Sequence, residues 1–323
     1  MEPNNEFIPE NQSYVSNKKE SSVLITGGSG LVGRYLTSAL LSEGYNVSHL
    51  SRRADQFGKV RVYRWDPDKK IIDPLLFEGI DYIIHLAGAN IGEKRWTKKR
   101  KHEILTSRVD SANLLYRVIS ENNFKMKAFI SASAIGYYGS ITSDKIFHED
   151  DPPSEDFLGT TCRLWEEAAD QFGKIGIRTI KIRTAVVLEK SDSAMAKLLK
   201  PAAFGIFPVI GTGKQFMPWI HIQDLCKIYL KAIKDDTMKG AYNAVSSQHV
   251  TQTEFMKSLA KSLNKPFFHP HFPAFFLNAA LGQMSDVVTK GSRVSSKKIL
   301  ETGFNFIFKN LEDALKNVIY EQI

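Results

Sequence analysis

The chain has 323 residues, 43 % of them hydrophobic, which suits a large α/β domain with a smaller lobe and is too apolar for wholesale disorder. No apolar run approaches the roughly 20 residues that span a bilayer, so no membrane is expected as a partner, and with only Cys162 and Cys226 there is no disulfide framework or multi-cysteine metal site, which suits a reducing, cytoplasmic setting. The formal net charge of +8 is compatible with nucleic acid, acidic lipid, or an anionic cofactor and substrate.

Residues 1–21 are polar, with Asn4, Asn5, Asn11, Lys18 and Lys19 and no apolar signal core, and read as a floppy tail. Val23–Thr26 is a short β-rich run that ends in glycines. Leu31, Tyr35, Leu36, Ala39 and Leu40 then recur at helical spacing until Gly44 closes the helix. Strands are expected at 47–50 and 60–65. Another is expected at 82–86, where the run Tyr-Ile-Ile-His-Leu lacks the polar alternation of a half-exposed strand and so calls for burial on both faces. A helix over 98–122, a strand at 128–132, a helix over 157–172 and a strand at 179–183 follow. Strands alternating with helices predict right-handed βαβ units and a Rossmann-like, doubly wound parallel sheet. Beyond Val187 the alternation loosens into proline- and glycine-marked loops, a short strand at 219–222, and amphipathic helices at 253–263 and 311–319 that suit a smaller substrate lobe. The basic run Lys94–Lys101 holds one aromatic, Trp96, and lies in no nucleic-acid module. It reads as mostly the solvated face of a helix, and nucleic acid is not expected as a partner.

The turn Thr26-Gly27-Gly28-Ser29-Gly30-Leu31-Val32-Gly33 lies between a strand and a helix, the context in which spaced glycines cradle a dinucleotide. Gly27 allows a tight reversal, Gly30 a close approach to a pyrophosphate, and Gly33 close packing of helix on strand. The helix N-terminus supplies N–H groups and a positive dipole end. An NAD site usually places an acid after the second strand; here the sequence reads Ser51-Arg52-Arg53. A guanidinium can hold a 2′-phosphate that a carboxylate would repel, so NADP(H) is expected rather than NAD. Leu86, Ala87 and Gly88 form a small-residue turn at a strand tip, with room for the cofactor to pass.

Several motifs in order carry a family resemblance. They are the glycine turn, Leu86–Ile91, Arg95-Trp96, Ser107-Arg108, Ser131–Gly139, Cys162–Glu166, Arg183-Thr184 and Trp219–Leu225. Together they resemble the atypical short-chain dehydrogenase/reductases called epimerase family proteins, within the NAD-dependent epimerase/dehydratase superfamily. The resemblance implies an NAD(P)-binding epimerase domain over 22–249 and a family-specific C-terminal domain over 250–323. It further implies cofactor contacts at Ser51, Arg52, Leu86 and Ala87, a side wall closed by Glu103 and Arg108, and Val187 near the nicotinamide end. Ala185 and Glu189 depart from the glycines usual in the family.

Ordinary members carry a Tyr-x-x-x-Lys pair on the helix after the fifth strand, where the lysine lowers the tyrosine pKa for proton exchange. The only such spacing here, Tyr14 and Lys18, lies in the tail, and the helix itself reads Phe-Leu-Gly-Thr-Thr-Cys-Arg from Phe157. Ser133 stands where a catalytic hydroxyl is expected, and Tyr137 and Tyr138 are the candidate proton donors or, equally, walls of the pocket. Cys162 lacks an adjacent His and is a poor nucleophile; His221 and Asp224 suit structural roles; His269 and His271 lack companions for a metal. Lys200, Lys214, Gln215 and Trp219 are candidates for substrate contact. Two readings follow: an NADP(H)-dependent oxidoreductase or sugar-nucleotide-epimerase-like enzyme of a small molecule, or a catalytically silent NADP(H)-binding redox sensor. Exposed helices leave room for a homodimer without specifying its interface.

Overall fold

The computed structural model describes residues 21–53, 58, 60–191 and 194–320, so the polar tail before Ser21 and the Tyr14–Lys18 pair lie outside the described residues. In chain order the elements are β1 (Ser22–Thr26), α1 (Leu31–Ser42), β2 (Asn46–Ser51), β3 (Arg61–Asp66), β4 (Ile71–Ile72), β5 (Tyr82–His85), α2 (Lys98–Glu121), β6 (Ala128–Ala134), β7 (Ile146–Phe147), α3 (Phe157–Lys174), β8 (Arg178–Thr184) and β9 (Val186–Leu188). There follow α4 (Ala194–Ala202), β10 (Val209–Ile210), β11 (Trp219–His221), α5 (Ile222–Lys234), β12 (Gly240–Ala244), α6 (Gln252–Ser262), β13 (His271–Phe272), α7 (Ala274–Leu281), α8 (Asp286–Thr289), β14 (Arg293–Val294), α9 (Lys297–Glu301) and α10 (Leu311–Tyr320).

The main sheet runs β12-β8-β6-β5-β1-β2-β3-β4, parallel throughout except for the short β4 at its edge. This is the doubly wound arrangement expected from the alternation. The apolar strands are indeed buried on both faces. Val23 and Ile25 of β1, Tyr82 and Ile84 of β5, and Ala128 and Ile130 of β6 join Leu36 and Leu40 of α1 and Ile228 and Tyr229 of α5 in one core. The intervening Leu24, Ile83 and Phe129 point the other way, onto Leu114, Leu115 and Ile119 of α2 and Phe172 of α3. A period of two on strands with helices on each side therefore produces two cores from one sheet.

The last parallel strand, β12, carries none of that signal. Gly-Ala-Tyr-Asn-Ala has low β propensity, and β12 is held at the edge by its register with β8 and by burial of Tyr242 and Asn243. A third core joins Trp219, Phe207 and Met195 to Phe255, Met256 and Leu259 of α6 and Leu311, Leu315 and Val318 of α10. A capping box on α6, Thr251 with Glu254, fixes where that helix starts. β14 pairs with β7 and so ties the C-terminal segment to the loop after β6. Among the described residues no helix is long and apolar enough to cross a membrane.

Candidate cofactor and substrate crevice

Because the sheet order reverses at β1, the crevice opens beyond the carboxyl ends of β1 and β5. The glycine turn leaves β1 there. Gly27 has φ +70°, and a Cβ on it would lie 3.0 Å from the Ala87 nitrogen, so the turn presses directly on the Leu86–Ala87 tip of β5. A Cβ on Gly33 would sit 2.5 Å from the Gly27 carbonyl oxygen and 2.6 Å from the Gly28 Cα, which is why α1 can start so close to the turn. Gly28 packs against the buried His49 ring instead, and Ser29 and Gly30 are exposed. No side chain caps α1, whose N-cap is Gly30, and Leu31 and Val32 are half-buried behind it. The cradle is thus tight at its base and open at its rim.

Two buried histidines brace the turn from beneath. Thr26 Oγ1 accepts the Leu86 and Ala87 N–H groups (both 3.2 Å), so its own proton goes to His85 Nδ1 at 2.8 Å. His85 Nε2 then carries the hydrogen and faces Ser111 Oγ at 3.2 Å, whose proton goes to the Ser107 carbonyl oxygen. Burial, reinforced by the charge of Arg108, lowers the pKa of this imidazole to about 4. Thr37 Oγ1 donates to the Gly33 carbonyl oxygen (2.6 Å) and so accepts from His49 Nε2 at 2.8 Å; burial lowers the His49 pKa as well. Thr26 is accordingly buried as a clamp between β1 and β5.

Along the crevice, Ser51 is half-buried and Arg52 and Arg53 are exposed at the end of β2. Glu103 is exposed, and its carboxylate meets Arg100 Nη1 at 2.8 Å, which holds its pKa below the usual range. Arg108 is the more unusual group. Its side chain lies against Gly88, where a Cβ would come within 3.0 Å of the guanidinium carbon, and over the Trp165 ring at 5.0 Å. Its Nη1 donates to the Ile104 carbonyl oxygen at 2.8 Å, and desolvation lowers its pKa to about 10. Val187 of β9 is half-buried and pairs with Ile220.

The β6–α3–β8 side is closed by comparison. Ser133 Oγ donates to Glu166 Oε1 at 2.7 Å. Arg183 grips the same carboxylate with two bonds, Nε to Oε1 at 2.7 Å and Nη2 to Oε2 at 2.9 Å. Arg183 Nη1 donates to Tyr138 Oη and to the Glu149 carbonyl oxygen, both at 2.9 Å; Tyr138 in turn donates to Asn243 Oδ1 at 2.7 Å. Asn243 donates through its backbone to Glu149 Oε1 (2.9 Å) and through its amide to the Ser295 carbonyl oxygen (3.1 Å). Burial raises the Tyr138 pKa far above that of a free phenol. Of the sequence candidates, Ser133 and Tyr138 are therefore consumed by this network, whereas Tyr137 is half-buried with the Arg183 guanidinium 3.5 Å from its ring centre. Desolvation raises the Tyr137 pKa, and Arg183 opposes that rise.

On α3, the i, i+4 pair that faces the turn after β6 is Leu158 and Cys162, both near Gly136. Cys162 is buried and its thiol is pushed up to about 12 by desolvation and by Glu166, so it is no nucleophile. His221 caps α5 by accepting from the Gln223 N–H (3.2 Å), and Asp224 accepts the Ile307 and Phe308 N–H groups at 2.7 and 3.1 Å, so both are structural. Among the described residues no group of three or more metal-binding side chains exists. Two expectations need correcting. Gln215 and Trp219 are buried packing residues, not groups offered to a substrate, although Lys200 and Lys214 are exposed. The basic run is mostly solvated, with Lys94, Arg95, Lys98 and Lys99 exposed, but it is not one helix face: α2 starts only at Lys98, and Arg100 is buried between Glu93, Glu103 and the Asn90 carbonyl oxygen. Glu149 and Asn243 escaped the sequence reading: Glu149 stands among other acids in His148-Glu149-Asp150-Asp151, with nothing local to mark it as buried, and the one signal available was the amide of Asn243 between Tyr242 and Ala244.

The fold and the glycine turn define a Rossmann-type α/β protein. The NAD dependent epimerase/dehydratase family model matches residues 23–244, and a domain of unknown function, DUF1731, matches residues 272–318. The chain belongs to the NAD dependent epimerase/dehydratase family. It is 35 % identical over 304 residues to the epimerase family protein YfhF of Bacillus subtilis, covering 93 % of this chain and 99 % of that one. It is 33 % identical to the epimerase family protein SDR39U1 of Mus musculus, covering 92 % and 99 %. Human SDR39U1 (isoform 2), whose structure was solved with NADPH, superposes with a TM-score of 0.82 at 28 % identity, covering 93 % of this chain and all of that one. The UDP-glucose 4-epimerase of Thermotoga maritima, at 17 % identity and a TM-score of 0.74, shares the fold.

Proposed function

We propose that this protein binds NADP(H) in the crevice and acts as an oxidoreductase or epimerase on a small molecule that sits beside Tyr137. The observation that carries the reading is the cradle itself: a glycine turn too tight for side chains, an α1 terminus that no side chain caps, and a guanidinium in place of an acid after β2. Backbone N–H groups at 31–33 suit the pyrophosphate, the Gly30 N–H being taken by the Gly27 carbonyl oxygen. Arg52 suits the 2′-phosphate, with Ser51 beside it; Leu86, Ala87 and Gly88 border the cofactor's path, and Val187 stands toward the nicotinamide end. Arg108, a poorly solvated cation facing that path, suits an anionic or hydroxyl-bearing part of the ligand, and Glu103 stands on the same side. The SDR39U1 structure with NADPH supports the choice of cofactor. When bound, the cofactor supplies or accepts a hydride; the protein's share is to hold the substrate and move a proton.

Tyr137 is the group with both exposure and a phenol. Arg183 against its ring face offsets part of the cost of ionising it. A second reading, a redox sensor without turnover, is favoured by Leu158 and Cys162 occupying the facing pair on α3. A panel of aldehydes and ketones, followed by NADPH absorbance, and of sugar nucleotides, followed by chromatographic separation of the epimers because epimerisation leaves the cofactor unchanged overall, tests the proposal. Turnover that disappears in Tyr137→Phe with NADPH binding intact is the expected result; no turnover with any of them, in a protein that binds NADPH, would overturn the enzyme reading in favour of the sensor.

A further inference from the structure

Away from the crevice, two segments meet with an unusual composition. Residues 194–223 and 255–285 contain no aspartate or glutamate, yet they carry Lys197, Lys200, Lys214, Lys257, Lys261 and Lys265. They are joined by parallel pairing of β10 with β13, by an Ile206–Phe268 bridge, and by the Lys265 amine, which donates to the Ala203 carbonyl oxygen. Side chains alternate across that bridge. Phe207 and Phe267 turn inward, with ring centres 6.1 Å apart, while Ile206 and Phe268 turn out. Phe204 is 84 % exposed, Phe268 66 % and Ile206 38 %, beside exposed Ala203 and Pro266. Exposed Lys200 lies one turn before Phe204 on the chain, and exposed Lys257 stands on α6; Lys261 reaches an acid, Glu312 of α10, at 2.7 Å.

Large aromatic side chains in water, paired with lysines and without a carboxylate in either segment, have the chemistry of an interfacial patch. We propose that the face of Phe204, Ile206 and Phe268 docks onto an anionic lipid surface, with the aromatic rings at the headgroup–acyl boundary and the lysines over the lipid phosphates. No part of the chain needs to cross the bilayer for this. A second copy of the chain fits the same face poorly, because its lysines would meet their own counterparts. The inference is independent of the cofactor reading.

Flotation of the full-length protein with vesicles tests it. The protein is expected to rise with phosphatidylcholine vesicles containing one third phosphatidylserine and to stay behind with phosphatidylcholine alone, with binding that weakens as salt rises. The double variant Phe204→Ser, Phe268→Ser should bind roughly ten-fold less, and Lys200→Ala/Lys257→Ala should lose binding chiefly at low salt, where the lysine–phosphate attraction is least screened. Matching far-ultraviolet spectra and melting curves establish that the variants fold. Absence of flotation with the anionic vesicles, or equal binding by the phenylalanine variant, overturns the proposal. So does a dimer of the unmodified protein that the phenylalanine variant converts to monomer, because a second copy would then cover the face.

Discussion

The two walls of the crevice come from the same sheet but leave opposite chemistry behind. On the β1–α1–β2 side the backbone is held rigidly from below by Thr26, His85, Thr37 and His49, while the rim keeps an uncapped helix start and an exposed guanidinium. On the β6–α3–β8 side Ser133, Glu166, Arg183, Tyr138, Asn243 and Glu149 satisfy one another, and only Tyr137 faces open space in part. Hydrogen-bonding capacity left unmet on one wall and consumed on the other is what a binding wall and a structural wall should look like. The buried network also spans the chain, since Asn243 reaches Ser295 and Arg183 reaches the loop before α3. The C-terminal segment is thereby fastened to the back of the crevice.

Breaking the consumed wall should cost most. Glu166→Ala strands Arg183 in a buried site and is expected to lower folding stability by about 3–5 kcal/mol, read by urea unfolding. Next, pH should act through the bracing histidines. His85 is held neutral, with its pKa lowered from 6.5 to about 4. The unfolded chain therefore binds more protons between these values, so this contribution is complete above about pH 6.5 and is lost as pH falls toward 4. It amounts to roughly 3 kcal/mol at most. Replacing His85 with Gln should flatten the acid limb of a stability–pH curve. On the open wall, Gly33→Val places side-chain atoms against the Gly27 carbonyl and should weaken NADPH binding by about 100-fold or more, a loss that fluorescence titration would register. If that variant bound normally, the cradle assignment would be wrong. The smallest effect belongs to a site on neither wall: Thr251→Ala removes the α6 capping box at a cost of about 1 kcal/mol, without change in nucleotide affinity.

Much of the open wall was legible in the sequence, because it is built from local signals. Apolar runs, a spaced glycine turn and Ser51-Arg52 are all readable within a few dozen residues, and β1, β2, β3, β5, β6 and β8 with α1, α2 and α3 follow from apolar spacing, whereas the two-residue strands β4 and β7 do not. The closed wall was legible only in fragments. Ser133, Tyr138, Glu166 and Arg183 each stood in a recognisable motif, but their mutual bonding depends on β6, α3 and β8 being adjacent, which no local pattern encodes. β12 was invisible because Gly240–Ala244 is stabilised by its neighbours and not by its own propensity. The short strand at Trp219 was expected, but the proline- and glycine-rich stretch before it put Trp219 among the candidates for substrate contact, whereas the third core encloses it completely.

Calorimetric titration with NADPH and with NADH, repeated on Arg52→Ala, bears most directly on the division of labour between the walls. Saturable NADPH binding, at least about ten-fold tighter than NADH and reduced toward the NADH value when Arg52 is removed, is the predicted result. Equal affinity for the two nucleotides, or no saturable binding of either, would contradict it.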